Sequence, residues 1–293
     1  MADVVEIFEV GPRDGLQNEP VFINALQKIA LVDGLAKAGL PRIECASFVS
    51  PKWVPQMADG SAVVSGSSRR ASELYALVPN ERGLQHALIS PVQGICLFLA
   101  ATEGFNRANT NISRIGAIER VKLLIDNFKN NTDGSIALRG YISCVIDCPY
   151  DGKVAPSDVA EIAETLFQAG CDEISLGDTI GNGHPDQVDA MLTAVKKRVP
   201  SRILAGHYHD TAARALDNID VSLEHGLRTF DASIAGLGGC PYAPGAKGNV
   251  GTEKVFDHLL SRGFSILGDP DRAALARVGD MARSIVGRPL NAI

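Results

Sequence analysis

Two histidines, His207 and His209, stand two residues apart in an apolar stretch that is typical of a β-strand. Because alternate side chains of a strand point to the same face, both imidazoles can lie on one side of it. Two neutral imidazoles on a rigid strand supply half of the ligand set of a divalent cation. The alternative interpretation is a pair of hydrogen-bonded core histidines, one of them acting as a general base.

A second chemical feature is the pair Arg13 and Asp14 in the segment GPRDG. A carboxylate added to two histidines leaves coordination positions open for a substrate, as metal catalysis requires. Such a mixed oxygen and nitrogen set suits Mg²⁺ or Mn²⁺, with Zn²⁺ or Co²⁺ as substitutes. Arg13 could stabilise an enolate or carboxylate oxygen, or pair with Glu44 or Asp178. Asp14 could alternatively cap the segment that follows it.

A third feature is the segment 236–249, which is rich in glycine and contains two prolines. This composition predicts a mobile loop that can close over a site and exclude water. Cys240 in this loop is a candidate acid, base or redox-sensitive thiol, although a structural thiol is equally consistent with its position. Asn249, where the loop ends, is either a helix cap or a carbonyl ligand to the metal.

The elements that must position these residues alternate between strand and helix. Apolar runs predict eight strands, and helical patterns occupy most of the intervals between them. The strand candidates lie near 4–10, 42–47, 74–78, 94–100, 138–146, 172–177, 202–208 and 228–234. The clearest helical patterns are 23–38, 113–130, 156–169, 185–198 and 211–225.

Eightfold alternation predicts an α/β fold, a (β/α)₈ TIM barrel, with residues 1–293 as a single catalytic domain. A doubly wound sheet is the alternative, but its usual glycine-rich motif after the first strand is absent. Residues from about 265 to 293 are expected to form extra helix packed beside the barrel. Functional groups of a barrel sit at the C-terminal ends of its strands. The polar residues in the later part of a strand candidate or shortly after one are Asp14, Glu44, Ser175, Asp178, His207 and His209.

Composition narrows the range of partners and locations. The net charge of −6 argues against a general nucleic-acid-binding surface. No apolar run approaches the roughly 20 residues that span a bilayer, and the N-terminal segment lacks the pattern of a signal peptide. The six cysteines are scattered through hydrophobic segments, which indicates reduced thiols rather than a disulfide framework. We therefore expect a cytoplasmic protein without a membrane partner.

Almost end to end, the sequence resembles the 3-hydroxy-3-methylglutaryl-CoA lyase family. The stretches that carry the resemblance are EVGPRDGLQNE (9–19), SFVSPKWVPQM (47–57), RGYISC (139–144), EISLGDTIG (173–181), HDT (209–211) and AGLGGCPYAPGAKGN (235–249). The family is similar to isopropylmalate and homocitrate synthases, which share the Arg-Asp motif and the paired histidines but lack the GLGGCPY loop. After His209-Asp210-Thr211 the chain reads AARALDN, where relatives commonly have a glycine.

The resemblance implies cleavage of 3-hydroxy-3-methylglutaryl-CoA to acetyl-CoA and acetoacetate, a step of leucine degradation and ketone-body formation. It implies a Mg²⁺ or Mn²⁺ ion held by Asp14, His207, His209 and Asn249. Arg13 would neutralise the enolate oxygen of the departing acetyl-CoA, Glu44 would orient Arg13, and Cys240 would assist proton transfer. The remaining substrate contacts it implies are Gln17, Ser175, Asp178 and Glu253.

Two other functions are alternatives to the lyase activity that the resemblance implies. A Claisen-type acyl-CoA condensing synthase would run related chemistry in the opposite direction, but the GLGGCPY loop and the lack of a regulatory domain favour the lyase. A catalytically inactive barrel used as a scaffold is expected to lose a ligand or Arg13, and this chain keeps them all. The expected partner is a small-molecule acyl-CoA, and the expected assembly is a homo-oligomer, a dimer.

Overall fold

Eight parallel strands form a closed barrel in the computed structural model, which describes residues 3–68, 72–239 and 248–289. Each strand pairs with the next in chain order, and β8 pairs with β1 to close the ring. The strands are β1 (Val4–Glu9), β2 (Arg42–Ser47), β3 (Glu73–Leu77), β4 (Gly94–Ala100), β5 (Ala137–Ser143), β6 (Glu173–Asp178), β7 (Leu204–Tyr208) and β8 (Thr229–Ala232). The predicted (β/α)₈ barrel is confirmed.

Ten helices of the described chain surround the strands or cross their ends. They are α1 (Ala25–Lys37), α2 (Gly60–Gly66), α3 (Glu81–Leu88), α4 (Glu103–Thr110), α5 (Arg114–Asn131), α6 (Pro156–Ala169), α7 (Pro185–Val195), α8 (Ala215–Glu224), α9 (Thr252–Ser261) and α10 (Arg272–Ile285). Within the described ranges, no helix combines the length and the apolar character needed to cross a membrane.

The C-terminal part of the chain adds to the barrel at its N-terminal rim. A two-residue strand, β9 (Ser265–Ile266), pairs with the start of β1, and α10 then packs against α1 and α9. Gly34 of α1 approaches α10 so closely that a Cβ atom there would lie 3.0 Å from Val278. This close contact explains a glycine in the middle of a helix, where it costs backbone entropy.

Local sequence signals explain several element boundaries. Gly170 ends α6 in the left-handed conformation with φ of 94°, which a residue without Cβ adopts at no steric cost. Pro156 opens the same helix, in agreement with the start predicted there. The helix predicted from residue 211 begins only at Ala215, because Ala213 is left-handed, with φ of 57°. The sequence prediction also missed the short helices α2, α3 and α4.

The barrel interior combines aromatic and charged side chains. Phe8, Tyr75 and Tyr141 pack inside the ring, separate from the larger apolar core between the strands and the helices. Arg139 lies among these rings and is only 1% exposed. Its guanidinium carbon is 3.9 Å from the centre of the Phe8 ring. This arginine bridges Glu173 below it and Asp231 above it, so ion pairs run up the interior toward the C-terminal mouth.

Candidate metal centre

The site is at the C-terminal mouth of the barrel, where the chain leaves β1 in a single π-helical turn, Gly11–Gly15. The turn carries Arg13 and Asp14 and passes close to the loop that follows β8. A Cβ atom on Gly11 would lie 2.6 Å from Glu9 Oε1 and 3.1 Å from the backbone nitrogen of Ile234, so glycine is required there. Rare π-helical turns are frequent at functional sites, where they aim side chains that a regular turn would not.

A buried ion pair fixes Arg13. Its Nε and Nη2 atoms lie 2.7 and 2.6 Å from Glu44 Oε2, and its Nη1 atom lies 2.6 Å from Asp14 Oδ1. Burial would lower the pKa of Arg13, but the charges of Glu44 and Asp14 raise it above its usual value. The guanidinium is therefore charged and held in one orientation. No ion pair joins it to Asp178.

Glu44 is fully buried and also accepts a hydrogen bond from the hydroxyl of Tyr141 at 3.2 Å. All of these contacts use Oε2, and Oε1 has no partner among the residues that the structure describes. Glu44 therefore contacts Arg13 directly, and its role in orienting Arg13 for the reaction stays a prediction. Tyr141, which the sequence prediction missed, lies beside both groups, with its ring centre 5.8 Å from the Arg13 guanidinium carbon.

Asp14, His207 and His209 converge on one point. One potential ligand atom from each residue lies within 4.8 Å of the other two, a spacing that fits a shared cation. Burial raises the pKa of Asp14, but the nearby Arg13, His207 and His209 lower it to about 2. Burial, together with the charge of His207, lowers the pKa of His209 to about 4. A charged carboxylate beside a neutral imidazole is the protonation state that metal ligands require.

His209 and Asn249 show two further features that fit the binding of a divalent ion. The Nδ1 atom of His209 is buried without a hydrogen-bond partner among the described residues, and an orphaned imidazole nitrogen of this kind is accounted for by a ligand. Asn249 donates from Nδ2 to Asp14 Oδ2 at 2.8 Å and to the Leu237 carbonyl at 3.2 Å. Because the amide nitrogen is used in this way, Asn249 would have to meet a cation with its amide oxygen.

Asp231 completes the site from below, and the sequence prediction did not include it. Its Oδ2 atom lies 3.0 Å from His207 Nδ1 and accepts from Ser175 Oγ at 2.9 Å. Burial raises the pKa of Asp231, but Arg139 and His207 lower it below its usual value, so the group is a carboxylate. The signal that could have revealed it is its place at the end of the last strand, in register with His207.

A cavity of about 710 Å³ opens above these residues and is lined by Arg13, Asp14, Gln17, His207 and His209, among others. The other predicted substrate contacts face elsewhere. Ser175 is fully buried against Asp231, Asp178 accepts from the Gly183 backbone at 2.8 Å, and Glu253 accepts from the Ala235 backbone at 3.0 Å. These three side chains support the loops and strands around the site, and none of them lines the cavity.

Cys240, predicted to assist proton transfer, lies outside the described residues. The segments on either side of the gap do border the site. Gly239 lines the cavity, and the Gly248 carbonyl accepts from the Asp210 backbone at 2.6 Å. Cys45, Cys96, Cys144, Cys148 and Cys171, the cysteines of the described chain, are buried free thiols, as the sequence analysis expected.

Comparison with known proteins identifies close relatives along the whole chain. The HMGL-like family model matches residues 4–281. A curated Pseudomonas aeruginosa protein, 3-hydroxy-3-isohexenylglutaryl-CoA/hydroxy-methylglutaryl-CoA lyase, is 47% identical over 285 residues, which covers 97% of this chain and 93% of the relative.

Two solved structures share this fold over nearly the whole chain. HMG-CoA lyase from Brucella melitensis superimposes with a TM-score of 0.94 at 50% identity, over 98% of this chain and all of the relative. An HMG-CoA lyase from Acinetobacter baumannii, solved in complex with coenzyme A and 3-methylmalate, gives a TM-score of 0.90 at 32% identity, over 98% and 92% of the two chains.

Proposed function

Because the chain belongs to the HMGL-like family, we propose that it cleaves 3-hydroxy-3-methylglutaryl-CoA to acetyl-CoA and acetoacetate. The observation that carries this proposal is the juxtaposition of a fixed, buried arginine with a carboxylate and two histidines at the floor of one cavity. A retro-Claisen cleavage needs these parts: a group that takes the proton of the tertiary hydroxyl, and a fixed positive charge where the enolate forms.

The reaction begins when the tertiary hydroxyl loses its proton and the carbon–carbon bond beside it breaks. The bonding electron pair passes to the α-carbon of the acetyl-CoA fragment as an enolate, and a proton returned to that carbon completes acetyl-CoA. Arg13 is oriented by Glu44, so its positive charge is in place before the enolate forms and costs no reorganisation. His207, a predicted catalytic residue, lines the cavity and would act as a ligand of the cation, because its Nδ1 atom faces Asp231 and its Nε2 atom is left for the ion. The hydroxyl proton would then pass to solvent in the cavity, and Cys240 is the predicted proton donor to the enolate.

Asp14, His207, His209 and Asn249 would hold a divalent cation, with Mg²⁺ or Mn²⁺ suited to this set of oxygen and nitrogen ligands. Such an ion, when bound, lowers the pKa of a coordinated hydroxyl, so a modest base suffices. Asp14 also connects the ligand set to the arginine, because one of its oxygens contacts Arg13 and the other contacts Asn249. The two halves of the site are thereby fixed relative to each other.

Of the predicted substrate contacts Gln17, Ser175, Asp178 and Glu253, Gln17 lines the cavity and can therefore touch the substrate directly. For Ser175 and Glu253 we propose indirect roles, in which Ser175 fixes Asp231 and Glu253 fixes the backbone after β8. Asp178 would act in the same way through the turn at Gly183. We also propose that the chain is one catalytic domain, acts as a homodimer in the cytoplasm, and serves leucine breakdown or ketone-body formation.

A single assay tests the proposed reaction. Protein stripped with a chelator is incubated with 3-hydroxy-3-methylglutaryl-CoA, and Mg²⁺ or Mn²⁺ is then restored while acetoacetate and acetyl-CoA are measured. We expect equal amounts of both products, only after the cation returns. Absence of cation-dependent acetoacetate would refute the lyase. Condensation of acetyl-CoA with a 2-oxo acid under the same conditions would support the synthase instead.

A further inference from the structure

Arg120 is a cavity-lining residue that neither the sequence motifs nor the proposed reaction uses. It lies on α5, between Ala117 and Val121, whose side chains are buried against the barrel. The helix packs on β4, and strands β2 and β3 separate β4 from β1, which leads to Arg13 and Asp14. The cavity is therefore bordered by one guanidinium at the reactive centre and by a second one on another side of the barrel.

Among the residues that the structure describes, none pairs with the guanidinium of Arg120. It forms no ion pair or hydrogen bond with the described residues, and its Nε atom is buried and unsatisfied. Burial lowers the pKa of Arg120, and no neighbouring charge raises it again. Arg13 and Arg139, in contrast, are each matched by carboxylates. A half-buried, unmatched cation costs free energy, and an anionic ligand would remove that cost.

The lining of the cavity leaves Arg120 available to an anionic ligand. Asp14 is the single acidic side chain among the described lining residues, and it belongs to the candidate metal centre. The end of α4 and the residue after it contribute Asn109, Thr110 and Asn111, which are neutral, and the two asparagines carry amide donors. A guanidinium and amide donors that line the same cavity are suited to phosphate oxygens.

We propose that Arg120 binds a phosphate group of the coenzyme A part of the substrate. The inference rests on the proposed function, because that function makes the ligand an acyl-CoA, which carries its thioester at one end and its phosphates at the other. When the acyl group is bound at Asp14, His207 and His209, the rest of the coenzyme A must extend outward through the same cavity, and its phosphates lie at the far end. Arg120 then supplies the positive charge that this end of the ligand requires.

Kinetics with matched substrates test the assignment. We expect Arg120→Ala to raise KM for 3-hydroxy-3-methylglutaryl-CoA about 10- to 100-fold, the loss expected for one charge-assisted hydrogen-bonded contact, with little change in kcat. The pantetheine thioester of the same acid has no phosphate, so its KM should be unaffected. Arg120→Lys keeps the charge and should recover part of the loss, which a purely structural role would not produce.

Arg114→Ala is the matched control. Arg114 is also on α5, but its Nη2 atom pairs with Glu161 at 3.0 Å and the residue does not line the cavity. Removal of this charge from the same helix should leave both KM values unchanged. The dephospho-CoA thioester then identifies the phosphate: an effect that persists points to the diphosphate, and an effect that disappears points to the 3′-phosphate.

Two results would overturn the proposal. One is an equal rise in KM for the CoA and pantetheine thioesters, and the other is no rise for either. Calorimetric titration with free coenzyme A separates this question from the reaction, since binding weakened by Arg120→Ala supports the phosphate contact even if the wild-type protein cleaves nothing. If Arg120→Ala fails to fold, the same comparison is made with Arg120→Gln, and unchanged coenzyme A affinity in that variant refutes the contact.

Discussion

The Nδ1 atom of His207 lies 3.0 Å from Oδ2 of Asp231, and the strand register of β7 and β8 sets these two residues side by side. Because Asp231 is a carboxylate, it accepts a hydrogen bond from Nδ1–H, and the lone pair of the neutral His207 imidazole is then on Nε2. A carboxylate that binds the other ring nitrogen in this way orients a metal-binding histidine and makes it a stronger ligand. The pair therefore connects the interior ion pairs of the barrel to the candidate metal centre.

Asp231→Asn is expected to weaken Mn²⁺ binding about 10- to 100-fold, because the amide neither fixes the tautomer of His207 nor increases its basicity. Titration followed by electron paramagnetic resonance of free Mn²⁺ measures this directly. Asp189→Asn is the matched control, since Asp189 contacts His225 Nε2 at 2.8 Å on the protein surface. Unchanged Mn²⁺ affinity in a folded Asp231→Asn protein would show that the pair does not position the ligand.

Arg13→Gln is expected to lower kcat by about two to three orders of magnitude, because it removes the fixed charge at the enolate position. Mn²⁺ affinity should change little, since none of the proposed ligands is lost. The substitution also leaves the buried Glu44 carboxylate without its partner, which destabilises the fold. The double variant Arg13→Gln/Glu44→Gln should recover stability in urea unfolding without recovering turnover. If turnover returned with stability, Arg13 would be a structural residue only.

Cation binding should stabilise the folded chain, because the ligand set forms only when the barrel is closed. At a Mn²⁺ concentration one hundred times Kd, we expect the free energy of unfolding to rise by about 2.7 kcal/mol. His207→Ala and His209→Ala should each abolish most of this gain, whereas His225→Ala, at the C-terminal end of α8 and outside the ligand set, should retain it. A full gain in His207→Ala, measured by thermal unfolding with and without Mn²⁺, would remove His207 from the ligand set.

Glu9 should make stability depend on pH. Its carboxylate is fully buried and accepts hydrogen bonds from the Gly11 and Ile234 backbones and from the hydroxyl of Thr252. Burial raises the pKa of Glu9 from 4.5 to about 7. Below pH 4.5 the group is protonated in both states; between 4.5 and 7 only the unfolded chain loses the proton, so stability falls as pH rises.

Glu9→Gln should remove this pH dependence, because an amide can accept from both backbone groups and donate to Thr252. Relative to wild type, its free energy of unfolding should rise by up to about 3 kcal/mol between pH 4.5 and 8. Glu119→Gln, at an exposed position of α5, should follow the wild-type curve. Parallel pH profiles for Glu9→Gln and wild type, measured by urea unfolding, would contradict the raised pKa.

Much of the barrel could be predicted because its signals are local. Each strand is a short apolar run, and a residue pair such as His207 and His209 shares a face by alternation alone. Strand ends of a barrel meet at one mouth, so the grouping of Asp14 with these histidines followed from the fold. The short helices α2, α3 and α4 have fewer than nine residues each, too few for a helical period to stand out from loop sequence.

The parts that could not be predicted depend on distant contacts. Asp231 reads as an ordinary strand residue until the register of β7 and β8 places it beside His207. Ser175 belongs to a matching motif and Glu253 follows one, yet the sequence does not show that Ser175 contacts Asp231 and that Glu253 contacts the Ala235 backbone. Arg120 belongs to no motif, and its significance comes from the folded chain, where no carboxylate of the described residues pairs with it.

The closure of β8 onto β1 has a consequence for how the protein matures. Asp14 and Asn249, which contact each other at 2.8 Å, are separated by 235 positions in the chain. A nascent chain on the ribosome therefore cannot complete this centre until nearly all of its residues have emerged, although the first strands and helices can already form. Assembly of the active centre is thus tied to completion of synthesis, and a fragment ending before β8 would expose an open sheet edge without any of the proposed activity.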